Sequence, residues 1–293
     1  MKGSGFDARV PAALVVTTVL WSSAFAGIRA GLEAYGPGQV ALFRFLVASA
    51  VLAVYAALTR MRLPELRDLP AVFLAGLLAF AIYHVALNYG EVTVSAGSAS
   101  ILIATAPVFT ALLAVAFLGE RLRVWGWVGM AISFLGSAMI SLGEGGGLSL
   151  DSRAALILLA ALCTSLYFVF QRPYLEKYGA LAFTTYAIWA GTLLTLVYLP
   201  GLLSQARTAP AGTTLTMVYL GVFPTAIAYV TYAYAFSRMA ASRAASFLYV
   251  IPIMAYVIAW LWLGEVPTPL TVAGGAVTLT GVIIVNVLGR RRR

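Results

Sequence analysis

The sequence predicts an all-α, polytopic membrane protein: ten transmembrane helices forming two inverted five-helix repeats around a central cavity. Three observations predict it. Hydrophobic residues make up 62% of the 293-residue chain and charged residues 10%, against about 25% charged in a soluble domain. Apolar stretches of membrane-crossing length, roughly twenty residues, recur from Val10 to Leu288. The two halves also repeat each other at a fixed offset. This composition excludes a water-soluble enzyme, a nucleic-acid binder, a secreted disulfide scaffold and a disordered regulator. Cys163 is the single cysteine, so no intrachain disulfide exists.

Charge clusters and Gly or Pro punctuation divide the chain into ten spans: 11–32, 38–58, 69–90, 95–118, 122–142, 152–173, 179–200, 213–236, 242–263 and 269–289. Runs such as Ala71–Ala81 and Thr271–Val287 are apolar without the alternation of a membrane β-strand. Helices follow, because every backbone polar group in hydrocarbon must be paired within the protein.

Ten spans put both termini on one side, and the basic residues test that arrangement. Lys2, Arg9, Arg60, Arg62, Arg67, Arg121, Arg123, Arg172, Lys177, Arg238, Arg243 and Arg290–Arg293 fall on the terminal side, fifteen in all. Only Arg29, Arg153 and Arg207 fall opposite, with Arg44 inside the second span. Loops rich in Lys and Arg stay cytoplasmic, so both termini are expected there. The net charge of +9 is thus a membrane-orientation signal, and the lipid bilayer, not a nucleic acid, is the expected partner surface.

A shift of 145 residues superposes Gly76 on Gly221, Tyr89 on Tyr234, Ala99 on Ala244, Pro107 on Pro252, Gly129 on Gly274 and Gly136 on Gly281. It also carries Leu118-Gly119-Glu120 onto Leu263-Gly264-Glu265, each Glu thirteen residues beyond its proline. The repeats are residues 1–147 and 148–293. Five spans per half turn the second half over in the membrane, the arrangement that supports alternating access about a midplane site.

These residues carry a family resemblance. Leu20-Trp21-Ser22-Ser23-Ala24-Phe25, Arg44-Phe45, Ala106-Pro107-Val108 and Gly119-Glu120, echoed by Ile251-Pro252 and Gly264-Glu265, make the chain resemble the EamA branch of the drug/metabolite transporter superfamily. Within it the chain looks most like the YddG-type exporters of aromatic and other amino acids. The resemblance implies a bacterial inner-membrane transporter, no enzyme, moving a small amino acid substrate through a cavity lined by the first four helices of each half. Efflux of drugs or other small metabolites is the alternative it allows.

Polar groups at membrane depth usually face the protein interior, and they define the candidate substrate-binding residues. His84, Asn88 and Glu91 stand at i, i+4 and i+7 in the third span, beside Tyr83. Thr225, Tyr229, Tyr232 and Phe236 form an aromatic stripe in the eighth span; Ser242, Ser246, Tyr249 and Tyr256 form another in the ninth. Trp21 and Ser22 lie mid-membrane in the first. Such rings stack on flat apolar groups or cations while their hydroxyls keep a hydrogen bond; the competing reading of each stripe is ordinary packing. Pro107 and Pro252 remove helix hydrogen bonds at matching depths and are candidate hinges. Gly97, Ser98 and Ser100 favour close helix approach.

Arg44 begins roughly 9 Å below the outer edge of its helix. It can snorkel outward, pair with Glu33 or Glu91, or attract a substrate carboxylate; structural pairing is the preferred expectation, with Arg44 and Glu91 as structural charges. Glu120 and Glu265, at helix-end turns, are expected to be structural. No Gly-x-x-x-x-Gly-Lys-Ser/Thr loop occurs, so transport is expected to be secondary or passive. One His and one Cys provide no metal site of the usual kind, and no cofactor is implied.

Overall fold

The computed structural model describes residues 9–118, 123–144, 151–236 and 250–288. All regular structure among them is helical. The first helices are α1 (Arg9–Gly31), α2 (Pro37–Leu58) and α3 (Leu66–Gly90), followed by α4, which is split into Ala96–Ile103 and Ala106–Leu118. Next come α5 (Val124–Glu144), α6 (Ala154–Phe170, extended by Arg172–Tyr178) and α7 (Ala180–Ala206). The last are α8 (Ala211–Leu220, Gly221–Ile227 and Ala228–Phe236), α9 (Ile251–Leu263) and α10 (Pro269–Val287). Five of these, α1, α2, α3, α7 and α8, are long and apolar enough to cross a bilayer, and the other five are shorter apolar helices. Each overlaps one of the expected spans, of which residues 122 and 242–249 lie outside the described ones.

The repeat is written into the irregularities of the helices. A π segment, with one extra residue in the turn, covers Leu77–Ile82 in α3 and Gly221–Ile227 in α8. The 145-residue shift carries the first onto 222–227 in the second. It also carries the second half of α4, Ala106–Leu118, onto α9, Ile251–Leu263, at both ends.

Helix neighbours follow the same symmetry. The first helix of each half packs against the third and fourth of the other half: α1 on α8 and α9, and α6 on α3 and α4. Helix α2 packs on α8 and α7 on α3, so the halves interleave. Helices α5 and α10 form a pair of their own. A Cβ on Gly129 would lie 2.9 Å from the Gly281 carbonyl oxygen, and one on Gly136 would lie 2.4 Å from the Thr278 backbone nitrogen and 2.6 Å from the Gly274 carbonyl oxygen. These backbones touch because nothing but hydrogen stands between them. Since 129 meets 281 while 136 meets 274, the two helices run antiparallel.

The prolines correct one expectation. Among the described residues neither proline lies inside a continuous helix: Pro107 stands one residue into the second half of α4, after a break, and Pro252 stands in the first described turn of α9, residues 237–249 ahead of it lying outside the described ones. A proline is tolerated there because the first-turn N–H groups have no helical partner anyway. The break in α4 lies at Ala104 and Thr105, just ahead of Pro107, and the side chain of Ser165 on α6 donates to the Ala106 carbonyl at 2.8 Å.

Candidate functional site

Four helices bring the predicted residues of the first, third and eighth spans together. Trp21 of α1 places its ring 5.3 Å from Tyr229 and 5.0 Å from Tyr232 of α8, and its indole N–H donates to the Pro224 carbonyl at 3.1 Å. Phe80 of α3 bridges from Tyr229, at 5.9 Å, to the His84 ring, at 6.2 Å. Phe45 of α2 and Tyr83 of α3 set their rings edge-on to His84, at 4.9 and 4.6 Å. The result is a continuous aromatic cluster around one imidazole. Phe45 and Phe80, absent from the sequence-derived set, belong to it; the Arg44-Phe45 pair was the only sequence signal for Phe45, and none pointed to Phe80.

Arg44 stands at the polar end of this cluster and corrects a second expectation. It makes no ion pair with Glu33 or Glu91; no described carboxylate lies within 4 Å of it. Its Nε donates to Thr225 Oγ1 at 2.9 Å, and Nη1 lies 3.3 Å from His84 Nδ1. The π segment explains the first contact. Thr225 Oγ1 donates to the Leu220 carbonyl, five residues back, at 2.8 Å, which fixes its lone pairs toward α2. A Cβ on Gly221 would lie 2.8 Å from the Arg44 carbonyl oxygen, so the two backbones meet at this level.

A guanidinium only donates, so His84 Nδ1 accepts and the ring carries its proton on Nε2. His84 thus presents its Nε2–H away from the guanidinium. Its Nε2 is buried without a partner among the described residues. Asn88, one turn further along α3, donates from Nδ2 to the Pro37 carbonyl at 2.9 Å while its Oδ1 has no partner. Both oxygens of buried Glu91 are likewise unpartnered. The third-span stripe thus does two things: it ties α3 to α2, and it leaves a row of unsatisfied polar atoms, which native structures rarely keep without a reason.

Other predicted residues fall elsewhere. Ser22 is fully buried and donates to the carbonyls of Thr18, at 2.7 Å, and Ile251, at 3.3 Å, so it joins α1 to the start of α9. Ser98 hydrogen-bonds the Tyr256 hydroxyl at 2.9 Å, and a Cβ on Gly97 would overlap the Tyr256 ring, the close packing expected there. Ser246, Tyr249 and Glu120 lie outside the described residues.

One end of the bundle is tied shut by a feature that helix periodicity did not reveal. Glu265, beyond α9, accepts from Arg29 Nε of α1 through Oε1 and from the Ala96 backbone N–H through Oε2, both at 2.9 Å. That N–H is one of the orphan donors at the start of α4. Arg29 Nη1 donates to the carbonyls of Glu91 and Val92. The expected structural role of Glu265 takes this form: one carboxylate joins α1, α4 and the α9–α10 connection. A cleft of about 630 Å³ lies above it, lined in part by Arg29, Glu33, Tyr35 and Glu265. At the other end Lys177 bridges Glu65, at 2.9 Å, and Asp68, at 2.5 Å, joining the α2–α3 loop to α6.

Apolar helices of membrane-crossing length, interleaved halves and a buried polar centre describe a polytopic membrane protein. Comparison with known proteins agrees: residues 10–142 and 152–287 each match the EamA-like transporter family. The chain belongs to that family. It is 51% identical to the uncharacterized transporter YdfC of Bacillus subtilis over 90% of this chain and 86% of the relative. It is 44% identical to a probable terminal-alkyne amino-acid exporter of Streptantibioticus cattleyicolor, over 96% of this chain and 95% of the relative. A protein of known crystal structure shares the fold at a TM-score of 0.62, with 19% identity over 95% of this chain and 96% of that one.

Proposed function

We propose that the chain exports amino acids, aromatic or other neutral ones foremost, across the bacterial cytoplasmic membrane. The mechanism is alternating access between two inverted halves, residues 1–147 and 148–293. The observation that carries the substrate class is the polar row of His84, Asn88 and Glu91, whose buried atoms lack partners, set against aromatic rings. Unsatisfied donors and acceptors beside flat apolar faces suit a zwitterion with an apolar side chain. A relative 44% identical to this chain is described as a probable amino-acid exporter, which supports the same class.

The antiparallel contact of α5 with α10 supports the inversion, and the distribution of Lys and Arg supports cytoplasmic termini. On that orientation the Arg29–Glu265 tie closes the outer end, and substrate enters from the cytoplasm. Trp21, Tyr83, Tyr229 and Tyr232 line the binding region together with His84 and Asn88. Pro107 and Pro252 mark the hinges.

The test is flux from liposomes containing the purified protein, preloaded with amino acids, drugs or nucleosides, with and without a pH gradient. Neutral amino acids are expected to be carried. Transport of drugs or nucleosides with no amino acid flux would replace this reading by metabolite efflux. Substituting Tyr229 by Ala is expected to lower flux without loss of folded protein.

A further inference from the structure

We infer that Arg44 is the receptor for a carboxylate group on the transported molecule, and hence the residue that selects acids over their neutral or amine analogues. The inference deepens the amino-acid reading above and rests on it for the substrate's ammonium group, but not for its carboxylate.

Arg44 is 3% exposed, and it is the one buried Lys or Arg among the described residues. A guanidinium away from water is tolerated when paired, since unpaired burial costs far more than an exposed charge. Yet its partners here are neutral: a threonine hydroxyl on Nε and an imidazole nitrogen on Nη1. Of its five N–H donors two are engaged, and the remaining three meet no acceptor among the described residues. The pair of nitrogens that would grip a carboxylate in a two-pronged bond therefore still has capacity.

The surroundings fit that ligand. His84 presents a second unpartnered donor, Nε2–H, held in that tautomer by Arg44 itself. One turn along α3, a rise of roughly 6 Å, the unpartnered Asn88 Oδ1 offers an acceptor of the kind an ammonium group seeks. Donors at residues 44 and 84 and an acceptor at residue 88 thus match the polarity of an α-amino acid. The aromatic rings of Phe45, Phe80 and Tyr83 stand against the imidazole. One cation balances one negative charge. A phosphate dianion would need a second buried cation, which the described residues do not supply.

A merely structural Arg44 would cross-link α2, α3 and α8 and affect all ligands equally, so the test compares ligands that differ at one group. Binding of L-phenylalanine, L-phenylalaninamide and 3-phenylpropionate is measured by equilibrium dialysis on the purified wild-type protein, Arg44→Gln and Arg44→Lys. The wild type is expected to prefer phenylalanine over its amide by roughly 10- to 100-fold, the scale of a hydrogen-bonded charge pair. Arg44→Gln is expected to bring that ratio to within about threefold. Arg44→Lys, which keeps the charge but not the fork, is expected to fall between.

Equal wild-type binding of acid and amide would overturn the inference while leaving amino-acid transport standing. So would an undiminished preference in Arg44→Gln. Arg44-dependent binding of phenylpropionate without phenylalanine would sustain the inference and remove the amino-acid reading. Binding of none of the three probes would overturn it. Should Arg44→Gln fail to fold, the wild-type series and Arg44→Lys decide the matter.

Discussion

Removing the Glu265 carboxylate should open the end of the bundle that it closes. In Glu265→Ala, the Arg29 Nε and the Ala96 N–H each lose an acceptor that lies 2.9 Å away. Arg29 lines the 630 Å³ cleft but Ala96 is fully buried, so water satisfies the Ala96 N–H only if α1, α4 and the α9–α10 connection part. Hydrogen bonds to a charged group are worth about 1.5–3 kcal/mol each when well buried. The side chains of Arg29 and Glu265 are 30% and 18% exposed, which places each bond nearer 1 kcal/mol. The closed form therefore loses about 2 kcal/mol, a roughly 30-fold shift of the open-to-closed ratio. The assay is the rate at which a maleimide labels a cysteine placed at Ile28, a buried neighbour of Arg29, with Cys163 replaced by Ser. A rise of at least about tenfold in Glu265→Ala is expected, with Glu265→Gln intermediate because it keeps one acceptor. A labelling rate within about twofold of the parent, in a variant that remains monodisperse, would refute the closure argument.

Further outcomes are expected. Trp21→Phe keeps a ring against Tyr229 and Tyr232 but loses the indole bond to Pro224, so it should reduce flux severalfold with little change in thermal midpoint, read in the liposome assay. Gly136→Leu drives a side chain into the α10 backbone 2.4 Å away and should cost about 3 kcal/mol or more; Gly212→Ala, where nothing lies within 4 Å, should be neutral or stabilising by about 0.5 kcal/mol. Thermal midpoints in detergent separate the two. The Lys177 hydrogen bond holds the Glu65 carboxyl below its ordinary value of 4.5. A depressed carboxylate contributes stability that is present above that value and lost as pH falls through the lowered one. Midpoints measured from pH 6 down to pH 3 should therefore decline less steeply in Lys177→Met than in the parent.

The helical architecture was legible because a bilayer leaves the backbone so few choices, and the repeat because Gly and Pro recur where helices touch or begin. Gly129, Gly136, Gly274 and Gly281, noticed as matching letters, are the points where α5 meets α10. The polar and aromatic stripes were legible as faces: Trp21, His84, Tyr229 and Tyr232 do share one cluster. Partnerships across helices were not legible. Periodicity tells which side of a helix a residue takes, and it does not tell what stands opposite. Arg44 therefore drew an expected partner from nearby charges, while its actual partners are Thr225, set by a π turn that shifts the register of α8, and His84, which follows the π turn of α3. Pro224, inside that turn, was the sequence sign of an irregular helix. The Arg29–Glu265 tie joins residues 236 positions apart. Opposite charges at helix ends on the same predicted side were its only trace.

The cross-repeat contacts constrain how a symmetric exchange can operate. Ser22 of α1 donates to the Ile251 carbonyl, the residue before Pro252, and Ser165 of α6 donates to the Ala106 carbonyl, the residue before Pro107. The first helix of each half is thus fastened, just ahead of a proline, to the start of a helical segment of the other half. A tilt of the segment beyond Pro107 would load α6, and a tilt beyond Pro252 would load α1. Since α1 carries both Arg29 of the tied end and Trp21 of the aromatic cluster, movement at the start of α9 would reach the Arg29–Glu265 tie and the aromatic cluster through one helix. Opening that end without disturbing Trp21 would require α1 to bend between residues 21 and 29, yet Ala24, Phe25, Ala26 and Ile28 are all buried along that stretch. A rigid α1 is the simpler consequence, and on the function proposed above it would tie substrate contact to closure mechanically.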